Sequence, residues 1–378
     1  MTASIRRAAG SLLVVGLSCD ELTALERAWL KLIRPAGIIL FRRNIADARQ
    51  TRALLADAIS LCASHALRCV DLEGGAVDRL RDALAPVPSA QAVALHASKT
   101  GKSRLAYEHG DLIARAVKAF GFNTTLAPVL DLGLSASASV LGTRAAAPSA
   151  SGVIAYARHF LAGAASQRIA TCAKHFPGLG AGALDSHAET PSIDRSFSVL
   201  WREDLLPYRN LRDRLPMVMV NHAAYPTTPG KATPASVSRF WIANTLRKRI
   251  GYRGLIFSDD MEMGGILRFM SIEDAVVASV RAGMDLIEIC HSPELILRAF
   301  DALITEAERS AAFRKILLDR SRTTTRKRAA LFANNLRLAL SSQQFESLRD
   351  RIVRFREKIE STAPPLPRSR IATPAETA

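Results

Sequence analysis

Residues 254–260 read Gly-Leu-Ile-Phe-Ser-Asp-Asp, a short apolar run that ends in two adjacent carboxylates, Asp259 and Asp260. The run is continuous rather than alternating, which is typical of a strand that is buried on both faces of a parallel sheet. Similar runs recur along the whole chain. The full set is 12–17, 37–41, 68–72, 125–132, 170–175, 217–221, 254–258 and 285–289.

The segments between these runs have apolar residues at helical spacing, for example in 47–63, 103–120 and 151–166. Alternating strands and helices predict an α/β protein. Eight such units favour a single closed (β/α)8 barrel of the TIM type over an open, doubly wound sheet.

The predicted domain order places the barrel first, at residues 1–333. A charged, helix-prone extension follows at 334–360. Its apolar stripe is too short for a coiled coil and indicates a helix docked on the barrel. The stripe consists of Leu336, Leu338, Leu340, Phe345, Leu348, Ile352 and Phe355. Residues 361–378 are rich in Pro, Thr and Ala, a composition that predicts a disordered tail.

Polar side chains follow five successive predicted strands at the point where each one ends. In chain order they are Asp71 and Glu73, Asp131, Lys174 and His175, Asn221 and His222, and Asp259 and Asp260. A barrel gathers the carboxyl ends of its strands into one rim, where barrel enzymes carry their chemistry. We therefore expect these side chains to share one site.

The composition narrows the class of protein. Lys and Arg number 51 against 35 Asp and Glu, a formal charge of +16. The basic residues are scattered without an aromatic platform, which predicts a solvated basic surface rather than a nucleic-acid site. An acidic substrate is the alternative explanation.

The five cysteines form no CxxC pair, which indicates reduced thiols and a cytoplasmic protein.

The N-terminus allows two interpretations. Arg6 and Arg7 precede a short apolar stretch at 11–19 that resembles a signal or lipoprotein leader, which would imply export. The apolar stretch is short for a leader, so we favour a buried first strand. No apolar run reaches the roughly 18 residues that a membrane span requires.

Two arrangements suggest acid–base and nucleophilic chemistry. In the Gly-rich loop after the fifth strand, Asp185 lies two residues before His187, close enough to orient the imidazole for proton transfer. At the end of the seventh strand, only one of Asp259 and Asp260 can point into the barrel mouth, because consecutive strand residues face opposite sides. A carboxylate there can attack an acetal carbon.

These motifs, taken together, resemble the single-domain bacterial β-N-acetylglucosaminidases of glycoside hydrolase family 3. The similarity extends from about residue 12 to 331. The matching segments are Gly-Ile-Ile-Leu-Phe-Arg-Arg-Asn44, Val-Asp-Leu-Glu-Gly-Gly75 with Val77 and Arg79, Leu-Ala-Pro-Val-Leu-Asp131, Leu-Gly-Thr-Arg144, Lys-His-Phe-Pro-Gly178, Asp-Ser-His187, Ile-Phe-Ser-Asp-Asp260 and Ala-Gly-Met-Asp285.

The resemblance implies a retaining mechanism with Asp259 as nucleophile and His187 as acid and base, assisted by Asp185. It implies no metal and no cofactor. The residues implied to hold the non-reducing sugar are Asp71, Arg79, Arg144, Lys174 and His175. The implied substrates are β-linked N-acetylglucosamine saccharides, with muropeptides from peptidoglycan recycling first and chitin-derived oligosaccharides second. Transfer to phosphate instead of water is a further possibility.

The chain departs from the family pattern at Leu179, where the family has His, at Ala76, where it has Arg, and at Ala145-Ala146, where it has Ser-Phe. These changes leave a sugar-binding protein without turnover as an alternative. A Schiff-base aldolase that uses Lys174 is another alternative. A two-domain β-glucosidase is disfavoured, because the chain ends soon after its eighth strand.

Overall fold

Eight parallel strands close into a barrel, as the sequence predicts. The computed structural model describes residues 2–182, 190–333 and 340–361. The strands within these ranges are β1 Leu13–Gly16, β2 Gly37–Leu40, β3 Leu67–Val70, β4 Leu72–Gly74, β5 Val77–Asp78, β6 Thr124–Thr125, β7 Ala170–Phe176, β8 Met217–Val220, β9 Leu255–Asp260 and β10 Leu286–Ile289. The barrel order is β1-β10-β9-β8-β7-β6-β3-β2, while β4 and β5 form a separate antiparallel hairpin.

Helices surround the barrel and connect its strands. The α-helices in the described ranges are α1 Thr2–Gly10, α2 Ala24–Ile33, α3 Ala48–Ser60, α4 Ala90–Thr100, α5 Arg104–Ala119, α6 Ala150–Ser166, α7 Phe197–Arg202, α8 Leu206–Leu211, α9 Gly264–Leu267, α10 Ile272–Ala282, α11 Pro293–Arg309, α12 Ala311–Leu331 and α13 Ser342–Glu360. A π-helical segment, Phe240–Arg249, precedes β9. In the described parts of the chain, every helix is too short or too polar to cross a lipid bilayer.

Local signals in the sequence set the ends of these helices. At the start of α2, the Thr23 side chain accepts from the N–H of Glu26, and the Glu26 carboxylate accepts from the N–H of Thr23. This reciprocal capping satisfies backbone donors that a helix start leaves unpaired. Helix α10 ends at Gly283, whose φ of 115° is a conformation that glycine adopts without strain.

Side chains along each barrel strand alternate between the barrel interior and the helical layer. One apolar cluster, which includes Cys69, Cys172, Phe257 and Leu286, fills the interior of the barrel. Residues adjacent to these along the same strands, such as Ile256 and Ile287, pack outward in the larger core between the strands and the helices. The next inward position on β3, β7 and β9 falls on Asp71, Lys174 and Asp259, which places these side chains above the apolar interior.

Three features differ from the sequence-based prediction. Strand β6 covers only Thr124–Thr125, although the prediction extended to residue 132, because Pro128 lacks the N–H that continues a ladder. The hairpin of β4 and β5 was not predicted. Nor was α1, which places Ile5, Ala8 and Ala9 in the core and leads directly into the predicted first strand.

Helix α12 closes the end of the barrel opposite the polar rim. Its Arg328 is fully buried, and the guanidinium Nη1 donates to the carbonyl oxygens of Ala36, Ser64 and His65 at 3.1, 3.0 and 3.2 Å. These carbonyls lie at the starts of β2 and β3. The last barrel helix is therefore bonded to the starts of the second and third barrel strands.

Helix α13 packs on the outside of α4 and α5. Its buried residues are Leu348, Ile352, Phe355 and Ile359. The Phe355 ring stacks on the ring of His109 with a centroid separation of 6.1 Å. Three members of the predicted apolar stripe, Leu348, Ile352 and Phe355, thus face the barrel. Leu336 and Leu338 of the same stripe lie outside the described residues.

Candidate active site

The end of β3 and the hairpin that follows it supply two carboxylates to one lysine. Lys174 on β7 places its Nζ atom 2.7 Å from Asp71 Oδ1 and 2.7 Å from Glu73 Oε1. The Lys174 and Glu73 side chains are buried, at 5% and 3% exposure, and Asp71 is 13% exposed. Asp71 is therefore the member of this group that a ligand can reach most easily.

The same network continues through Arg144 and His175. Arg144 donates from Nε and Nη2 to the two oxygens of Glu73 at 2.9 and 2.8 Å, a bidentate pair. The His175 Nδ1 donates to Asp131 Oδ2 at 2.6 Å, which leaves Nε2 to accept from Arg144 Nη2 at 3.2 Å. Asp131 also accepts from the backbone N–H of His175 and of Leu179. These contacts fix every member of the network.

Charge pairing in this network decides its protonation states. Burial would raise the pKa of Glu73, but the charges of Arg144 and Lys174 outweigh it and hold that pKa well below its usual range. Burial would lower the pKa of Lys174, but Asp71 and Glu73 hold it well above its usual range. Lys174 is therefore a charged ammonium. This argues against the Schiff-base alternative, which needs a neutral amine.

The end of β9 carries a different arrangement. Asp259 is half-buried, and its Oδ1 accepts from the backbone N–H of Asp260 at 3.1 Å. The Asp260 side chain turns toward the neighbouring loops, where Oδ1 accepts from the N–H of Glu262 and Oδ2 lies 3.7 Å from His291 Nε2. Burial, followed by the nearby charge of Glu262, raises the pKa of Asp260 to about 8.

Two residues after β8 hold these elements in position. The Asn221 amide donates to the carbonyl oxygen of His175 at 3.1 Å. His222 Nε2 donates to the carbonyl oxygen of Asp260 at 2.9 Å, and His222 Nδ1 accepts from the Ser236 hydroxyl at 2.7 Å. Both side chains are fully buried. They connect the strand ends that carry His175 and Asp260.

Asp71, Lys174 and Asp259 surround one point of the barrel interior. The buried thiol of Cys172 lies there, and its pKa is raised by burial first and then by Glu288, Asp71 and Asp259, while Lys174 acts in the opposite direction. We call the space at the rim between the paired network and Asp259 the pocket.

The remaining predicted site residues are Arg79, Asp185 and His187. The Arg79 backbone N–H donates to the carbonyl oxygen of Asp71 at 3.2 Å, and its guanidinium carbon lies 5.5 Å from the centre of the Phe41 ring. Asp185 and His187 fall outside the described residues. Nearby, Thr190 donates from its hydroxyl to the carbonyl oxygen of Gly265 at 2.6 Å, close to the loop after β9.

The departures from the family pattern have local explanations. Leu179 is buried, and its backbone N–H donates to Asp131 Oδ1 at 2.8 Å, so the segment after β7 is still anchored to the network. Ala145 and Ala146 are buried as well. Ala76 lies exposed at the turn of the hairpin.

The sequence-based interpretation left three carboxylates without a role. Glu73 and Asp131 were noted only as strand-end residues, although the structure makes them central to the network. Glu288 was missed, and the signal for it was a lone charge inside the apolar run Leu-Ile-Glu-Ile.

One group in the described residues has the composition of a metal site. Asp260, Cys290 and His291 place one potential ligand atom each within 4.8 Å of one another. Burial and the nearby carboxylates Asp260, Glu288 and Glu262 raise the pKa of the Cys290 thiol well above its usual range. We assign no metal to this group.

Comparisons with known proteins agree with this geometry. Residues 4–318 match the family model "Glycosyl hydrolase family 3 N terminal domain". A beta-hexosaminidase of Stenotrophomonas maltophilia (strain R551-3) is 34% identical over 309 residues, which cover 81% of this chain and 91% of the relative. A beta-hexosaminidase of Alkalilimnicola ehrlichii is 37% identical over 293 residues, or 75% and 82% of the two chains.

Solved structures show the same similarity. A glycoside hydrolase family 3 beta-N-acetylglucosaminidase from Paenibacillus sp. superposes with a TM-score of 0.81 at 29% identity, over 93% of this chain and 68% of that one. NagZ from Neisseria gonorrhoeae, in complex with N-trifluoroacetyl-D-glucosamine, gives a TM-score of 0.75 at 27% identity, over 91% and 98% of the chains. The chain therefore belongs to glycosyl hydrolase family 3 and is a glycoside hydrolase similar to the bacterial beta-hexosaminidases.

Proposed function

We propose that this enzyme is a retaining exo-β-N-acetylglucosaminidase, with Asp259 as nucleophile and His187, assisted by Asp185, as acid and base. The observation that supports it most directly is the position of Asp259, which faces the pocket from the end of β9, opposite the charge-paired network. A half-buried carboxylate at that place can attack an anomeric carbon from below.

The paired network supports the binding part of the proposal. Asp71 can accept hydrogen bonds from two hydroxyl groups of a sugar, while Lys174 and Arg144 donate to ring or hydroxyl oxygens. Because Glu73 bonds both Lys174 and Arg144 and holds them in place, little conformational entropy is lost when a sugar binds. A neutral saccharide suits a network whose cations are already paired with carboxylates.

The proposed reaction has two steps. His187 donates a proton to the glycosidic oxygen as Asp259 attacks the anomeric carbon, which breaks the bond to the leaving group and forms a glycosyl ester on Asp259. Neutral His187 then takes a proton from water as the water attacks the same carbon. N-acetylglucosamine leaves with retained configuration, and both residues return to their starting states.

The proposed substrates are muropeptides from peptidoglycan, with chitin-derived oligosaccharides as the second choice. The complex of NagZ with N-trifluoroacetyl-D-glucosamine supports an acylated glucosamine in the pocket. The formal charge of +16 suits the peptide carboxylates of a muropeptide. For this substrate we propose a cytoplasmic enzyme with its catalytic domain in residues 1–333, followed by the extension at 334–360.

The test compares 4-nitrophenyl N-acetyl-β-D-glucosaminide with the matching β-glucoside. We expect strong preference for the N-acetyl substrate and a loss of kcat of roughly 1,000-fold or more in Asp259→Asn. His187→Ala should lose less with this good leaving group than with a natural disaccharide, because less protonation is needed. NMR of the first product should show the β-anomer.

Several outcomes would contradict the proposal. An α-anomer as first product would exclude retention, and full activity in Asp259→Asn would exclude the nucleophile. Binding of N-acetylglucosamine without turnover by the wild type would favour the sugar-binding alternative. A rate that depends on inorganic phosphate, with a sugar phosphate as product, would indicate phosphorolysis.

A further inference from the structure

Glu288 is a buried carboxyl group in the wall of the barrel, on the strand next to the one that carries Asp259. It is 2% exposed. Leu286 and Cys290, two residues before and after it, belong to the apolar cluster of the barrel interior. Val14, which pairs with Glu288 across the ladder with β1, belongs to the same cluster. The Glu288 side chain therefore points into the barrel, beneath the pocket.

The backbone of Glu288 is joined to the end of β9. Its N–H donates to the Ser258 hydroxyl at 2.9 Å, and its carbonyl oxygen accepts from the N–H of Met261 at 2.9 Å. These two bonds lie on either side of Asp259 and Asp260 in the sequence. These bonds fix the backbone of Glu288 relative to the segment that carries the proposed nucleophile.

One oxygen of the Glu288 carboxyl is not satisfied within the described residues. Its Oε1 atom is buried and has no hydrogen-bond partner in the part of the chain that the structure describes. A buried polar atom without a partner destabilises the folded state, and an apolar side chain of the same size would avoid this loss. Stability alone does not account for a glutamate at this position.

The charged groups that act electrostatically on Glu288 come from three other strands. They are Asp71 after β3, Lys174 on β7, and Asp259 and Asp260 on β9. Lys174 is already bonded to Asp71 and Glu73. Burial first, and then these aspartates, raise the pKa of Glu288 well above its usual range, which favours its uncharged form.

We propose that Glu288 is a positioning residue for the reaction: a buried carboxyl group beneath the pocket that acts through Asp259 and orients the Asp259 carboxylate for attack. This inference rests on the proposed function of Asp259. A neutral acid offers a hydrogen-bond donor without adding negative charge to a corner that already holds two aspartates. An ionised or apolar side chain offers no such donor.

The test compares Glu288→Gln, which keeps a neutral donor, with Glu288→Met, which keeps the length but loses the donor. We expect Glu288→Met to lower kcat by about tenfold or more with KM within about twofold, because the effect acts through the nucleophile. The acid-side fall of kcat/KM should move to higher pH by about one unit. Glu288→Gln should keep kcat within about threefold of the wild type, with the acid-side fall unmoved.

Thermal unfolding separates this role from a structural one. Glu288→Met should unfold at the same or a higher temperature than the wild type, since it removes the unsatisfied carboxyl. Ile287→Val, on the same strand but facing the helical layer, is the matched control and should leave kcat and the pH profile unchanged. A fully active Glu288→Met variant, or a Glu288→Gln variant as impaired as Glu288→Met, overturns the proposal.

The result also stays separate from the test of the proposed function. If Asp259→Asn keeps its activity, the nucleophile assignment fails and the Glu288 proposal fails with it. If Asp259→Asn is inactive and both Glu288 variants match the wild type, only the Glu288 proposal fails.

Discussion

The rim of the barrel carries two groups of carboxylates, and they differ in how their charges are balanced. On the side of β3 and β7, Asp71 and Glu73 are bonded to Lys174, and Glu73 is also bonded to Arg144. On the side of β9 and β10, Asp260 accepts from the N–H of Glu262 and lies 3.7 Å from His291, and the Oε1 atom of Glu288 has no hydrogen-bond partner in the described residues. The raised pKa values of Asp260 and Glu288 limit the negative charge there.

We relate this difference in charge balance to two proposed roles: the paired side chains bind the substrate, and the carboxyls of β9 and β10 belong to the reacting side. Paired side chains keep one charge state across the physiological range, so a pocket lined by them presents the same hydrogen-bonding pattern at every pH. On the β9 and β10 side, burial and the neighbouring carboxylates raise the pKa values of Asp260 and Glu288. Perturbed groups of this kind are common where protons and electron pairs move.

We expect the largest loss of activity when the positive charge of Lys174 is removed from the paired network. Lys174→Met leaves Asp71 and Glu73 without their shared cation. We expect kcat/KM to fall by roughly 1,000-fold and the free energy of unfolding to fall by about 3–5 kcal/mol, because a buried charge is left unpaired. Steady-state kinetics and urea unfolding measure the two effects.

A matched control exists at the other end of the barrel. Lys327 lies 3.6 Å from Asp285 and donates to the carbonyl oxygen of Gly254. Lys327→Met should change stability while kcat/KM stays within about threefold. If the two variants lose activity equally, the paired network has no special role in binding.

We expect a smaller loss of activity when the positive charge at Arg144 is kept but the arrangement of its hydrogen bonds is lost. Arg144→Lys retains the cation but removes the bidentate contact with Glu73 and the bond to His175. We expect a loss of about 2 kcal/mol in transition-state binding, or roughly 30-fold in kcat/KM, mostly through KM. Arg298→Lys alters an exposed arginine that contacts Glu273 and Glu294 on the outer helices, and it should have no kinetic effect. Equal values for Arg144→Lys and the wild type would show that charge alone is sufficient.

The pH dependence of stability tests the charge state of Asp260 on the β9 and β10 side of the rim. The pKa of Asp260 is about 8 in the folded protein and near 3.8 when exposed. Between these values the unfolded chain ionises and the folded protein does not, so Asp260 destabilises the fold as pH rises from 4 to 8. Asp260→Asn should therefore gain stability over the wild type as the pH rises, with the largest gain at pH 8 and little gain at pH 4.

Urea unfolding at pH 4, 6 and 8 measures this gain. Asp213→Asn, at a side chain that is 81% exposed, should show no such trend. A constant difference between Asp260→Asn and the wild type across this range would mean that Asp260 is ionised in the folded protein, and the contrast between the two sides would disappear.

The barrel was predictable from the sequence because burial on both faces leaves a continuous apolar run. The eight predicted strands are all present, and the errors lie where a local rule intervenes. Pro128 ends β6 early. Helix α1 carries Arg6 and Arg7 in a short segment, so its apolar face is narrow and its charges suggested a leader.

The candidate site was predictable only in part. The strand-end pattern and the family resemblance indicated Asp71, Lys174, His175 and Asp259, because position along the chain is enough to place them at the rim. Which carboxylate contacts which cation depends on contacts between residues about 100 positions apart, as between Asp71 and Lys174. Glu288 was missed because the strand was interpreted as apolar throughout.

Arg328 connects the fold to the order in which a ribosome makes the chain. Its bond to the carbonyl of Ala36 joins residues 292 positions apart, and the pairing of β1 with β10 closes the barrel over a similar distance. Contacts of such separation form late and slow the folding of a domain. The first strands leave the ribosome long before their partners exist, so they present open edges during synthesis. Chaperones that shield exposed strands should therefore increase the yield of this enzyme more than they affect its activity once folded.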